Sequence, residues 1–360
     1  LLPSTNPILI KSHFEHATKK MPSLPKTYKV AVFEKKGAPF SLQDRELKLP
    51  AQGEVLVKVI ASGVCRSDDD GVKEAEFGNS FPIVPGHEII GEIASVPDGE
   101  KRWKVGDRVG GPWHGGHDRV CKQCQRGQFQ MCQDGAINGV TRDGGYAEYV
   151  LLRSEAVVNV PKDVDSVEYA PILCAGITVF NSIRKCKITP GDLVAVQGLG
   201  GLGHLAVQYA NKMGYKVVAL SSGGSKKDFA DKLGAHEYID TTKEDASKKL
   251  MEMGGAALIV CTAPNPKAIS PLTAGLEPGG RVLILSPCGP VEVNSVDLIM
   301  RAASVAGFPR GHALDSEEAI AFTKLHGIKC MVEKFPFKDV QKAYEHMMSG
   351  DVRFRCVLVM

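Results

Sequence analysis

DLVAVQGLGGLGHLAVQYANKMG, residues 192–214, is the stretch that decides the fold. DLVAVQ (192–197) reads as a buried-type strand. GLGGLG (198–203) follows it directly and opens GHLAVQYANKMG, which has helical spacing and stops at Gly214. A lone G-x-G-x-x-G says little, but between a strand and a helix it reads as a dinucleotide-binding turn. Gly198 permits the tight turn, Gly200 lets a pyrophosphate approach the backbone, and Gly203 allows close helix–sheet packing. The free N–H groups and positive dipole end of the helix then face the phosphates. The plainer alternative is a glycine-rich connection with no ligand.

Outward from this turn the pattern repeats. YKVVALSS (215–222) is a strand, KKDFADKLG (226–234) a helix ending at Gly234, and AALIVCTA (256–263) and RVLILSP (281–287) are strands. Strands alternating with helices imply an α/β unit with a doubly wound parallel sheet. Before it the rhythm differs. YKVAVF, EVLVKVIASG, EIIGEIASV, DRVGG and TRDGGYAEYVLL are short β-rich runs with Gly and Pro between them, up to about residue 152. They imply an antiparallel, barrel-like unit. SEEAIAFTKLHG and DVQKAYEHMMSG add two helices, and VRFRCVLVM a closing strand.

The end of the second parallel strand bears on the nucleotide. A carboxylate about 20 residues past the glycines would bind the ribose 2′-OH and repel a 2′-phosphate. Here the strand ends in Ser221-Ser222-Gly-Gly-Ser-Lys226-Lys227, with no carboxylate before Asp228. Two hydroxyls and a lysine suit a 2′-phosphate, so NADP(H) is expected, with Ser221, Ser222 and Lys226 nearest it. NAD(H) bound without an acidic partner is the alternative.

With 360 residues the chain can bury a large core in two domains. A net charge of +3 without a basic tract argues against a nucleic-acid surface, and no apolar run is long enough for a membrane span. Ten cysteines are too few for a disulfide scaffold of this size and fit reduced thiols. Residues 1–20 read as an extension outside the fold, with Met21-Pro22 as a natural start. A targeting segment is the rival, weakened by Glu15 and the lack of Arg.

Three cysteines in HDRVCKQCQRGQFQMC (117–132), Cys121, Cys124 and Cys132, have zinc-like spacing. A second set of ligand types is scattered: Cys65 in GVCRSDDDG, His87 and Glu88 in PGHEIIGE, and Cys174 in PILCAGITVF. Two thiolates and one imidazole leave a position open on a tetrahedral zinc, the arrangement of a catalytic site. Taken singly, each cysteine could be a small buried hydrophobe.

GVCRSD, GHE, GDRVGG, C-x-x-C-x7-C, LCAG and GLGGLG, in that order, resemble the zinc-dependent medium-chain alcohol dehydrogenases from about residue 26 to 360. The SSGGSKK loop and LCAGITVFNSI are most similar to the cinnamyl-alcohol-dehydrogenase-like, NADP(H)-using branch and to fungal alcohol dehydrogenases. The resemblance implies a GroES-like, mostly β catalytic domain over 21–175 and 309–360, with a Rossmann domain over 176–308 inserted in it. It implies two zinc ions per chain, a small alcohol or aldehyde substrate, a cytoplasmic location and a homodimer or homotetramer.

It also implies roles. Cys65, His87 and Cys174 match the catalytic zinc ligands, and Glu88 the acidic residue that can swing onto that zinc. Asp68 matches the carboxylate that orients the zinc histidine, Arg66 a pyrophosphate contact, and Ser67 the hydroxyl that takes the substrate proton. Thr178, Gly201 and Leu202 join the cofactor-binding positions. Where many members carry a relay histidine this chain has Asp70. The family's structural lobe has a fourth cysteine three residues before Cys121, and this chain has Asp118 there, with His117 and His114 as rivals. Trp113 matches a position lining the substrate cleft, or else packs in the core. Arg353 or Arg355 offers a further phosphate contact. The implied activity is interconversion of alcohols with aldehydes or ketones. An NAD-dependent polyol dehydrogenase, a zinc-free double-bond reductase and a non-catalytic zinc- and nucleotide-binding protein are the alternatives.

Overall fold

The computed structural model describes residues 24–360. The reading of residues 1–20, and of Met21 as a start, lies outside the described residues.

Six parallel strands form one sheet in the order Glu237–Asp240, Lys216–Ser221, Leu193–Gln197, Ala256–Cys261, Leu276–Ile284 and Ser304–Gly307. The first strand in the chain lies inside the sheet and its two successors run outward from it. The later strands run the other way, so a crevice opens where the order reverses, at the C-terminal end of Leu193–Gln197. Alternate residues serve opposite faces. Val194, Val196, Val217, Ala219, Leu258 and Val260 pack into one core, and Ala195, Val218, Leu220, Ile259 and Cys261 into the other. Helices on both faces require this two-sided burial.

The second sheet is mostly antiparallel. Its strands run in the order Val332–Pro336, Arg355–Val359, Glu54–Val64, Ile89–Ser95, Arg108–Gly111 and Val158–Asn159, and Tyr149–Arg153 also pairs with Glu54–Val64. The C-terminal strand returns to this sheet, with Leu358 opposite Ser62. The first expected strand departs from the barrel-like unit. Thr27–Val32 pairs with Ser41–Glu46 in its own two-stranded sheet, joined to the rest by bridges such as Val30 to Ala147.

The helix Ala175–Lys185 is buried from Ala175 through Ile183, its polar Thr178, Asn181 and Ser182 included. No single helix among the described residues is long and apolar enough to cross a membrane. All ten cysteines are free.

Candidate active site

Four separated segments converge between the sheets. Cys65 follows the strand Glu54–Val64 and leads into the 3-10 turn Arg66–Asp68. His87 and Glu88 immediately precede Ile89–Ser95, and Cys174 stands at the head of the helix Ala175–Lys185. Ligand atoms of Cys65, His87, Glu88 and Cys174 all lie within 4.8 Å of one another, and all four residues are buried. The two sulfurs are 3.9 Å apart. Thiolates about 2.3 Å from a tetrahedral zinc stand about 3.8 Å apart, so the donor set fits that ion. His87 Nε2 and Glu88 Oε2 are buried without a hydrogen-bond partner, which leaves them free to ligate.

The electrostatics of this cluster call for a cation. The hydrogen bond from Cys174 outweighs burial and holds the Cys65 thiol well below its usual range, helped by Arg355 and His87. The same bond, with burial, pushes Cys174 up. Burial acts to lower His87, but Asp68 and Cys65 override it and raise the imidazole to about 10. The surrounding anionic groups thus favour positive charge at this position.

Asp68 sets the imidazole. Its Oδ1 stands 3.3 Å from His87 Nδ1, outside hydrogen-bond alignment. Its Oδ2 accepts the Tyr146 hydroxyl at 2.7 Å and the Cys65 N–H at 3.1 Å. With Nδ1 turned to Asp68, Nε2 is left for a metal. Glu88 is fully buried, and burial raises its carboxyl to about 7 despite the ion pair it makes with Arg355.

A cleft of about 1030 Å³ runs from this cluster along the crevice. Its lining includes Cys65, Ser67, Cys174 and Thr178 of the cluster region, the exposed Arg66 and Asp70, the turn Gly198–Leu202, and Ser221, Ser222 and Lys226. At the turn, a Cβ on Gly203 would lie 1.9 Å from the Gly198 carbonyl oxygen, whereas a Cβ on Gly200 would meet nothing within 4 Å. Gly203 serves packing, and Gly200 leaves open space for a ligand.

Lys226 donates to the Leu199 carbonyl at 3.1 Å. Burial, and then the charge of Arg353, lower its ammonium. Lys226 and Arg353 both line the cleft. The nearby carboxylates are committed elsewhere. Asp240 accepts from the Gly223 N–H at 2.8 Å, Asp245 caps the next helix at Lys248, and Glu244 stands 3.5 Å from Lys249. Arg66 and Asp70 form a loose exposed pair at 3.7 Å.

In the outer lobe the ligand atoms of Asp118, Cys121, Cys124 and Cys132 also lie within 4.8 Å of one another. Cys121 and Cys132 sulfurs are 3.9 Å apart, again a fit to zinc. The N–H groups of Cys121 and Val120 hold the Asp118 carboxyl down at about 2. His114 and His117 are not part of this group. They stack on each other at 5.2 Å, and His117 stacks on Phe129 at 4.4 Å.

Both C-terminal arginines line the cleft, and Arg355 is also buried against Glu88. In the sequence Trp113 reads as lining the cleft or else packing in the core. It packs with a small core beside Phe33 and Val72, and Phe77 and Arg310 line the cleft. Tyr146, Arg310 and His204 were not visible as site residues in the sequence. Each acts through a long-range contact, and no local motif marks them.

Comparison with known families places these features. The family described as Alcohol dehydrogenase GroES-like domain matches residues 51–162, and the one described as Zinc-binding dehydrogenase matches 201–324. The alcohol dehydrogenase patD of Penicillium expansum is 55% identical over 93% of this chain and 98% of its own length. Among solved structures, the cinnamyl alcohol dehydrogenase SbCAD4 of Sorghum bicolor superposes with a TM-score of 0.84 at 29% identity, covering 93% of this chain and 98% of that one. A cinnamyl alcohol dehydrogenase of Helicobacter pylori, complexed with NADP(H), superposes at 0.81 with 27% identity, over 93% and 98%.

Proposed function

Because the chain belongs to the zinc-dependent medium-chain alcohol dehydrogenase family, we propose that it reduces aldehydes with NADPH, and runs the reverse reaction, at the cluster Cys65, His87 and Cys174. The carrying observation is that this buried donor set lies at a cleft that the glycine turn also lines. Zinc held there supplies a Lewis acid that polarises a carbonyl or lowers the pKa of an alcohol.

The chain's own residues do the rest. Asp68 holds His87 in place. Ser67, on the cleft wall, passes a proton to the oxygen of the reduced substrate, and Asp70 hands protons to it from solvent. Thr178, Gly201, Leu202 and the rest of the turn seat the cofactor, with Arg66 at the pyrophosphate. Ser221, Ser222 and Lys226, joined by Arg353, take the 2′-phosphate. The charges of Lys226 and Arg353, which line the same cleft, favour that anion.

Asp118, Cys121, Cys124 and Cys132 hold a second, structural zinc. The catalytic part spans 21–175 and 309–360 and the nucleotide part 176–308. By analogy with the family the enzyme is a cytoplasmic homodimer or homotetramer. The test is the ratio of kcat/KM for NADPH to that for NADH in wild type and Ser222→Asp. A wild-type ratio above one that falls in the variant supports the reading, and an unchanged ratio removes the phosphate assignment.

A further inference from the structure

We propose that Arg310 binds a carboxylate on the substrate, so that the preferred substrates are aldehydes or ketones bearing an anionic group near the reacting carbon. The proposal rests on the aldehyde-reductase reading above.

Arg310 lines the cleft together with Phe77 and Cys174. Its guanidinium lies over the Trp113 ring, 3.9 Å from the ring centre. Trp113 stands edge-on to His87, with ring centres 4.8 Å apart at 83°, and edge-on to Phe77 at 5.4 Å. The cation is therefore placed one aromatic ring away from a ligand of the metal cluster.

The placement is held by the backbone. Arg310 has φ 56°, the left-handed region that a non-glycine residue adopts at a cost of about 1 kcal/mol or more. Its carbonyl accepts the side-chain amide of the fully buried Asn181 at 2.6 Å. The following Gly311 is packed so closely that a Cβ there would lie 2.7 Å from Asp315 Oδ2. This loop holds the Arg310 backbone, and the stack on Trp113 places the guanidinium.

No carboxylate among the described residues forms an ion pair with Arg310, and Glu76 on the same wall is exposed and makes none. A guanidinium stacked on an indole keeps its N–H edge free, and that edge matches a carboxylate in a bidentate fork. The cofactor phosphates have their own partners at the glycine turn and at Lys226, so they do not account for this charge. Phe77 is the aromatic neighbour that shares the cleft wall with Arg310.

The test compares 4-carboxybenzaldehyde with 4-methylbenzaldehyde on the zinc-loaded enzyme with NADPH. Wild type should favour the carboxylate by about 10- to 100-fold in kcat/KM, mainly through KM. Arg310→Leu should collapse that ratio to one or below, and Arg310→Lys should restore part of it. General damage to the site cancels in the ratio. A wild-type ratio near one, or a ratio unchanged in Arg310→Leu, overturns the proposal while leaving the reductase reading intact. Reduction of neither aldehyde overturns the reductase reading and the proposal with it. A binding measurement stands apart from turnover. Benzoate, but not benzamide, should change tryptophan fluorescence saturably in wild type and not in Arg310→Leu; an equal benzoate response in both proteins would also overturn the assignment.

Discussion

The guanidinium of Arg355 is buried against the carboxylate of Glu88, across 267 residues of sequence, with neither group more than 6% exposed. The arginine stem also lies under the glycine turn, where a Cβ on Gly201 would sit 2.7 Å from Arg355 Cδ. One side chain thus spans the metal cluster and the nucleotide turn. Removing one partner of a buried pair strands the other charge, so Arg355→Met should destabilise the protein by about 3–5 kcal/mol. Urea unfolding would measure it. A loss within experimental error of zero would mean that Glu88 finds another partner.

Gly200 and Gly203 should separate in their effects. Gly203→Ala drives a methyl into the Gly198 carbonyl and should cost about 3 kcal/mol of stability. Gly200→Ala adds a methyl to open space on the ligand side, so its Tm should stay near that of wild type. Its NADPH affinity, followed by cofactor fluorescence, should fall by about tenfold or more. A Gly200→Ala protein that binds NADPH normally would place the pyrophosphate elsewhere.

Asp118 should be needed for metal in the outer lobe. Asp118→Ala should lose the zinc of that lobe by metal analysis, and Asp118→Cys should keep it, since a thiolate replaces a carboxylate at the same charge. Full zinc in Asp118→Ala would exclude Asp118 as a ligand.

His204 gives a pH signature. Its Nδ1 faces the Gly200 carbonyl at 3.2 Å and its Nε2 accepts the Met331 N–H at 3.3 Å, which fixes a neutral tautomer with Nδ1 protonated. Burial lowers this imidazole to about 3, against about 6.5 in the unfolded chain. Between those values the unfolded chain holds the extra proton. Stability from His204 is therefore full above about pH 6.5 and is lost as pH falls toward 3, by up to about 1.4 kcal/mol per pH unit. Replacing it by Gln should flatten the acid limb of stability measured by urea unfolding from about pH 6.5 to 4.5. Equal slopes for wild type and His204→Gln would contradict this. Acid loss of metal affects both proteins alike.

The parallel sheet was legible because each strand is a short apolar run beside a patterned helix, as in DLVAVQ and GHLAVQYANKMG. Cys65, His87 and Cys174 were legible only jointly, through the order of the motifs around them. What escaped had no local signature. The helix Ala175–Lys185 buries its polar Thr178, Asn181 and Ser182 along with its apolar residues, which its own pattern does not announce. Thr27–Val32 looks like any barrel strand, and only its pairing with Ser41–Glu46 sets it apart. Arg355 and Arg353, two residues apart on one chain, could not be told apart by composition. Arg355 heads the strand Arg355–Val359 and is buried against Glu88, whereas Arg353 precedes that strand and stays partly exposed.

The central claim is that zinc on Cys65, His87 and Cys174 enables NADPH to reduce an aldehyde. Its most direct test is the initial rate of benzaldehyde reduction by NADPH before zinc removal with dipicolinate, after removal, and after zinc is returned. The account predicts that activity disappears with the metal and returns with it. Undiminished reduction by protein shown by metal analysis to be zinc-free would contradict it.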